Sequence, residues 1–415
     1  MRILFITDTL PYPAITGAPL RSYNILRRLA HKNRVWLIAF AKTSEQREGM
    51  THMQTFCEEV LTDFMPADNV MALSLKGLRY LINGVPPDLR FYYSEILIDK
   101  IRHLAAKVNF DVVHIDHTHM GIYLRAMPMT LRQRSVWMLH DVDFCKFERI
   151  ANLETRLARR LRLKLHSRML YHWQPRHAEN FARSVTVSDF DRRLLLRANP
   201  HLQIDVAPNG IDTKLFRPLP CNARAPALIF VGNMDYLPCV DAVLYFCRDA
   251  LPRIRNVIKD IEMWIVGINP RHEVKQLAGN GVYVTGKVDD VQPFYERSTA
   301  CVVPLRAGGG TRLKILEAMA LGRPVISTSI GCEGLELKKG QHLLLAETAE
   351  QFAEKTIQLL TDVSLQQRLI QNGRELVVKR YDWDVIAEKM LEIYAVAAGE
   401  SGATMSPIIY PEDTL

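Results

Sequence analysis

The stretch from Cys301 to Ile330, CVVPLRAGGGTRLKILEAMALGRPVISTSI, is compatible with few folds. A short apolar run, Cys301-Val302-Val303-Pro304, reads as a buried parallel strand. Three glycines follow, Gly308, Gly309 and Gly310, and Thr311 opens a helical pattern that ends near Leu321-Gly322. Pro324 begins a second strand, Val325-Ile326-Ser327-Thr328. Strand, glycine loop, helix and strand make a βαβ unit, and its loop sits where such units hold phosphate. Glycines let backbone N–H groups approach an anion, and the helix N-terminus supplies positive potential. Arg312 and Lys314 fall in the first helical turn, where cations oppose the helix dipole; an anion held between them offsets that cost.

The same strand–helix alternation runs through most of the chain. Arg2–Thr7 is a buried opening strand, followed by a loop with turn signals at Pro11, Pro13 and Gly17 and a helix from about Leu20 to His31. Arg34–Phe40, Asp111–Ile115, Ser135–Leu139, Ser184–Val187 and Ile204–Ala207 read as strands. Glu45–Val60, Ser94–Val108 and Asp189–Arg197 read as helices, the last with Ser188 as its N-cap. The stretch from Pro66 to Arg90 shows no regular pattern. A proline-rich connection, Arg217-Pro218-Leu219-Pro220 and Pro226, follows the turn sequence Pro208-Asn209-Gly210-Ile211-Asp212 and marks a domain boundary. A second α/β series then starts at Ala227–Gly232. At 415 residues the chain is long enough for two such domains. We divide it into 1–212, 213–382, a C-terminal helix 383–398 that crosses back to the first domain, and a flexible tail 399–415.

Phe144 to Arg183 reads as nearly continuous helix. Between Thr155 and Ala178 there are seven Lys or Arg residues and no acid. Leu153, Leu157, Leu161, Leu165 and Met169 recur every four residues. One reading is a surface that rests on anionic lipid headgroups; the other is a solvated helix that packs one side on its own domain. The net charge of +8 suits nucleic acid, anionic lipid or anionic substrates alike. No nucleic-acid motif accompanies it. No apolar run is long enough to span a membrane, the N-terminus does not read as a secretory signal, and seven cysteines without a CxxC pair indicate reduced thiols. The expectation is a cytoplasmic protein, peripheral at most on the inner face of a membrane.

In doubly wound sheets ligands bind at strand C-terminal edges. Those edges carry Gly232, Asn233, Gly286-Lys287-Val288, Ala307–Thr311 and Glu333 in the second half, and Thr9–Gly17, Asp116–His119 and His140–Asp143 in the first. Glu317 stands two helical turns past the glycine loop, where a carboxylate can accept two hydrogen bonds from a ribose diol. Spacing alone favours a surface glutamate paired with Lys314 or Arg323. His117 is as readily a satisfied loop histidine as a catalytic one. Asp141-Val142-Asp143 has the form of a metal-binding Asp-x-Asp, and we read it as a pair of loop acids, with no metal site.

The segments Val206–Asp212, Phe230-Val231-Gly232, Val284–Val288 and above all Leu316-Glu317-Ala318-Met319-Ala320-Leu321-Gly322-Arg323-Pro324-Val325-Ile326 together resemble the retaining glycosyltransferases of family 4. The resemblance extends more loosely to the first half through Asp111-Val112-Val113-His114, and the GGGTRLKILEAMA variant is similar to a subgroup linked to exopolysaccharide assembly. It implies the GT-B fold: two facing Rossmann-like doubly wound domains with a cleft between them. It implies that Glu317 holds the ribose, that Gly286-Lys287-Val288 frame the base, and that Gly308, Gly309, Gly310 and Thr311 bear on the diphosphate and sugar, with Gly17, Gly232 and Asn233 also at the nucleotide sugar. Three positions depart from the family pattern. Gly309 stands where a second glutamate is usual, Asn233 where a basic residue is usual, and Asp116 where a histidine is usual.

The implied activity moves a sugar from a UDP- or GDP-sugar to a hydroxyl of a lipid-linked or polysaccharide acceptor with retention, without a metal. Arg312 and Lys314 would stabilise the leaving diphosphate, and Asp116, His117 or His140 would orient or deprotonate the acceptor. Two other readings fit the same architecture or charge: a nucleotide-sugar 2-epimerase, and a non-enzymatic basic scaffold that binds lipid through 155–178.

Overall fold

The computed structural model describes residues 1–14, 17–41, 47–65, 85–308 and 312–399. Gly309, Gly310 and Thr311, most of the irregular stretch after Pro66, and the tail from residue 400 onward lie outside the described residues.

The chain divides into two compact units. The first takes Met1–Glu148, Ala158–Pro208 and the described residues from Asp384 to Gly399; the second takes Arg149–Leu157 and Asn209–Trp383. The division falls at Pro208–Asn209 rather than after residue 212. Ile211 donates its N–H to the Tyr381 carbonyl at 2.7 Å, and a Cβ on Gly210 would lie 2.8 Å from the Trp383 ring. The Asn-Gly-Ile turn therefore belongs with the unit that follows it. From Asp384 onward the helix Trp383–Ala398 groups with the first unit, where Tyr394 bonds His114 at 2.8 Å and Asp384 pairs with Arg28 at 2.5 Å.

The first unit is built on β1 (Arg2–Thr7), β2 (Arg34–Ala41), β3 (Glu59–Phe64), β4 (Val112–Asp116), β5 (Ser135–Leu139), β6 (Arg183–Thr186) and β7 (Ile204–Val206). All neighbours are parallel, in the order β3-β2-β1-β4-β5-β6-β7. Covered on both faces by helices, these strands read as apolar runs, and β1, β4 and β5 are almost wholly buried. The edge strand β3 is the exception. Apart from buried Val60 its residues are partly or largely exposed, so no apolar run marks it. The helix expected over Glu45–Val60 is in fact Arg47–Gln54 followed by this strand. The long helix expected from Phe144 breaks at Glu154–Arg156 into Asp143–Leu153 and Leu157–Ala178.

The second unit repeats the pattern with β8 (Ala227–Val231), β9 (Glu262–Val266), β10 (Val282–Val284), β11 (Ala300–Val303), β12 (Val325–Ser327) and β13 (Leu344–Leu345), ordered β10-β9-β8-β11-β12-β13 and parallel throughout. In each sheet the winding reverses beside the first strand, between β1 and β4 and between β8 and β11. Crevices at such switch points are where open α/β sheets hold ligands. The loops after β8 and β9 touch backbone to backbone. A Cβ on Gly267, at φ +150°, would sit 1.7 Å from the Gly232 carbonyl oxygen, so only glycine fits there.

Candidate functional site

At the switch point of the first unit, Asp8 leaves β1 while Asp116, His117 and His119 leave β4. Asp116 is 1% exposed and accepts hydrogen bonds from Ser22 at 2.5 Å, Thr7 at 3.3 Å and His140 at 2.6 Å. His114, stacked on Phe5, brings Nε2 to 3.6 Å from the same carboxylate. Burial alone would raise the Asp116 carboxyl, but the surrounding imidazoles hold it well below the usual carboxylate range. Burial pushes His140 down to about 4, so it meets Asp116 as a neutral ring donating its N–H. Arg21, itself 2% exposed, donates to the Pro208 and Ala207 carbonyls at 2.5 and 2.8 Å, and burial lowers it to about 10.

His117 has φ +77° and ψ +149°, a region that only glycine occupies readily and that costs about 1–3 kcal/mol. Two bonds hold it there: its N–H donates to the Met138 carbonyl at 3.0 Å, and its carbonyl accepts from Trp137 Nε1 at 3.0 Å. The result aims the ring at Asp8, with Nε2 3.2 Å from Oδ1. His119 Nε2 meets the other oxygen of Asp8 at 3.1 Å. The rings stack in a column, Tyr92 on His119 at 3.7 Å and His117 on His140 at 4.1 Å. Thus the structure gathers Asp116, His117 and His140 into one cluster and adds Asp8. Sequence reading missed Asp8 because it lies more than a hundred residues from His119; the adjacency of β1 and β4 was the available signal. Asp141 and Asp143 instead grip the Lys146 ammonium at 2.9 and 2.5 Å. Gly17 is exposed at the start of its helix, at φ +49°.

The second unit's switch point carries the other group. The helix Leu313–Ala320 starts after Arg312, which holds the N-cap position rather than the first turn. The Arg312 guanidinium lies against Gly308: a Cβ there would be 2.9 Å from Nη2. Lys314 sends its ammonium to the end of β8, 4.1 Å above the Phe230 ring and 3.7 Å from Cys239 Sγ. A Cβ on Gly232 would stand 3.0 Å from that nitrogen. Exposed Asn233 follows directly, so Lys314 puts a charge beside the loop where Asn233 has none.

Glu317, one turn beyond Lys314, is half-buried, and its carboxylate forms no ion pair or hydrogen bond among the described residues. Burial pushes its carboxyl up, with Lys314 opposing. Arg323 is not its partner, because all its bonds here go to carbonyls: Tyr295 at 2.7 Å, Leu219 at 3.1 Å, Gly322 at 3.0 Å and Pro220 at 2.6 Å. Sequence reading also missed Arg149, which donates to the Gly308 carbonyl at 3.1 Å and grips Glu333 in a two-point pair at 2.5 and 2.9 Å. Gly286, at φ +74°, exposed Lys287 and half-buried Val288 follow β10 at the sheet edge.

Residues 15–215 match the family model for glycosyltransferase family 4, and residues 225–362 match that for glycosyl transferases group 1. The chain belongs to glycosyltransferase family 4. A phosphatidyl-myo-inositol mannosyltransferase of Mycobacterium leprae is 25% identical over 320 residues, covering 74% of this glycosyltransferase and 79% of the relative. A protein of the cps region of Klebsiella pneumoniae is 21% identical over 408 residues, 92% of this chain and 96% of its own. Among solved structures, sucrose-phosphate synthase from Thermosynechococcus elongatus superposes with a TM-score of 0.68 at 19% identity, covering 96% of this chain and all of its own. The Anabaena protein HepE in complex with UDP and glucose gives 0.64 at 15% identity, covering 95% and 100%. The two doubly wound sheets of this glycosyltransferase are the GT-B fold.

Proposed function

We propose that this glycosyltransferase moves a sugar from a UDP- or GDP-linked donor to a hydroxyl of a lipid-linked or polysaccharide acceptor, with retention at the anomeric carbon, in the building of a bacterial exopolysaccharide or surface glycan. Glu317 carries the reading. A half-buried carboxylate with no ion pair among the described residues, on the helix after a glycine loop, is suited to accept both hydroxyls of a ribose. The Arg312 guanidinium stands beside Gly308 and the Lys314 ammonium beside Gly232, and two such cations at neighbouring strand ends suit a diphosphate.

The chemistry asks for charge stabilisation first. As the glycosidic C–O bond breaks, negative charge grows on the diphosphate, and preorganised cations and N–H groups lower that barrier. The acceptor oxygen bonds the anomeric carbon on the face the diphosphate leaves, and its proton passes to a diphosphate oxygen. Asp116, His117 and His140 orient the acceptor, or take that proton in place of the diphosphate oxygen. The names of the relatives support an acceptor of this class: one acts on phosphatidyl-myo-inositol, and another lies in a cps region. The helix Leu157–Ala178 supports contact with an anionic membrane, since Leu157, Leu161 and Leu165 are 58–70% exposed among its arginines.

Product analysis with UDP- and GDP-sugars, with and without a lipid-linked acceptor, tests this. Transfer should depend on acceptor, and Glu317→Ala should lower both transfer and donor hydrolysis by roughly 100-fold while far-UV circular dichroism is unchanged. Release of a free isomerised nucleotide sugar, or full activity in the variant, would contradict it.

A further inference from the structure

We propose that Asp8, His117 and His119 form a binding site in the first unit for one divalent transition-metal ion, Zn²⁺ by ligand chemistry. Two imidazoles and one carboxylate are a common three-residue set for that ion, which leaves a further position open to an oxygen ligand such as water or an alcohol.

The first argument is spacing. For bonds of about 2.0–2.1 Å in a tetrahedral arrangement, ligand atoms stand roughly 3.3–3.4 Å apart. Here His117 Nε2 lies 3.2 Å from Asp8 Oδ1 and His119 Nε2 lies 3.1 Å from Asp8 Oδ2, so the two imidazoles address the two oxygens of one carboxylate at close to that spacing, the second through a hydrogen bond that a metal ion would replace. All three groups offer an atom within 4.8 Å of the others.

The second argument is satisfaction. His117 Nε2 and Asp8 Oδ1 are both buried without a hydrogen-bond partner among the described residues, although they face each other. Buried polar atoms ordinarily find partners. One cation shared between them, a metal ion or a proton on His117, would satisfy both, and the metal titration below separates the two.

The neighbouring set Asp116, His117 and His140 also brings its ligand atoms together, but its geometry argues against it. Asp116 and His140 are 2.6 Å apart, a hydrogen bond and far too close for two ligands of one ion. Ser22 and Thr7 already donate to that carboxylate. Access is retained at the chosen set, whose side chains are 11–19% exposed. Its rings are also prevented from swinging away, His119 by stacking on Tyr92 and His117 by stacking on His140.

The test uses the full chain without an affinity tag, stripped by chelator and titrated with Co²⁺. One equivalent should bind, giving visible ligand-field absorption without a thiolate charge-transfer band, and Zn²⁺ should displace it. Asp8→Asn and His119→Gln should each weaken binding at least tenfold, and His140→Gln, which removes only a stacking partner of His117, should weaken it less than either. Failure of the parent chain to take up one equivalent would overturn the proposal. So would a thiolate band, unchanged affinity in the Asp8→Asn, His119→Gln double variant, or loss confined to His140→Gln. The parent titration decides the matter even if a variant does not fold.

Discussion

Arg323 shows how a residue that looks functional by position is spent on structure. It stands at the end of the helix that carries Glu317, is 4% exposed, and ties four carbonyls together, among them Leu219 and Pro220 of the proline-rich connection. Arg323→Met keeps much of the packing and leaves those carbonyls without donors. It should cost roughly 2–4 kcal/mol in urea denaturation; a change below about 0.5 kcal/mol would show the bonds to be incidental. A sequence alone could not separate this arginine from a partner for Glu317, because it follows just past the end of the same helix and only the fold of the connection decides. Lys314 is the converse case. Its spacing placed it at the glycine loop, and the structure carries its ammonium on to Gly232. His117 was visible as a loop histidine, whereas its glycine-like backbone and its pairing with Asp8 depend on strands more than a hundred residues apart.

At the scale of elements, strands buried on both faces were legible as apolar runs, and β3 was not, because an edge strand shows water one side. The helix Leu157–Ala178 carried two readings in sequence. In the structure its buried residues are Ser167, Leu170, Trp173, Gln174, Pro175 and Ala178, toward its C-terminal end, while Leu157, Leu161 and Leu165 face solvent. The four-residue repeat thus marks an exposed line, not the packed one. Leu161→Asp with Leu165→Asp should abolish sedimentation with vesicles containing phosphatidylglycerol and leave donor hydrolysis in solution intact. Equal binding of parent and variant, or no binding by the parent, would remove this helix from any membrane role.

For the molecule as a whole, the first unit's buried histidines set a pH limit. His177 stacks on Trp173 at 4.5 Å, and its Nε2 is buried with no hydrogen-bond partner among the described residues. Burial holds both His177 and His114 below the usual imidazole value. A folded-state pKa below the unfolded one means that the unfolded chain takes up protons first as pH falls. Stability from these groups is therefore complete above about pH 6.5 and is lost as pH drops from there toward their folded values. Urea midpoints should be flat from pH 7 to 8 and decline between 6.5 and 5, less steeply in His177→Phe; a midpoint that rises on acidification would contradict the burial argument. Two sheets with the same winding were legible from the repeated alternation of elements. The exact division was not, because the Asn209–Ile211 turn is claimed by contacts with Tyr381 and Trp383 far along the chain.

The central claim is that the second unit binds a nucleotide sugar through Glu317. Thermal unfolding of the parent and Glu317→Ala with UDP-, GDP-, ADP- and TDP-sugars measures this most directly. At concentrations of 100 to 1,000 times the dissociation constant, one donor should stabilise the parent by about 2.7–4.1 kcal/mol and the variant far less. No shift with any nucleotide sugar, or an equal shift in both proteins, would contradict it.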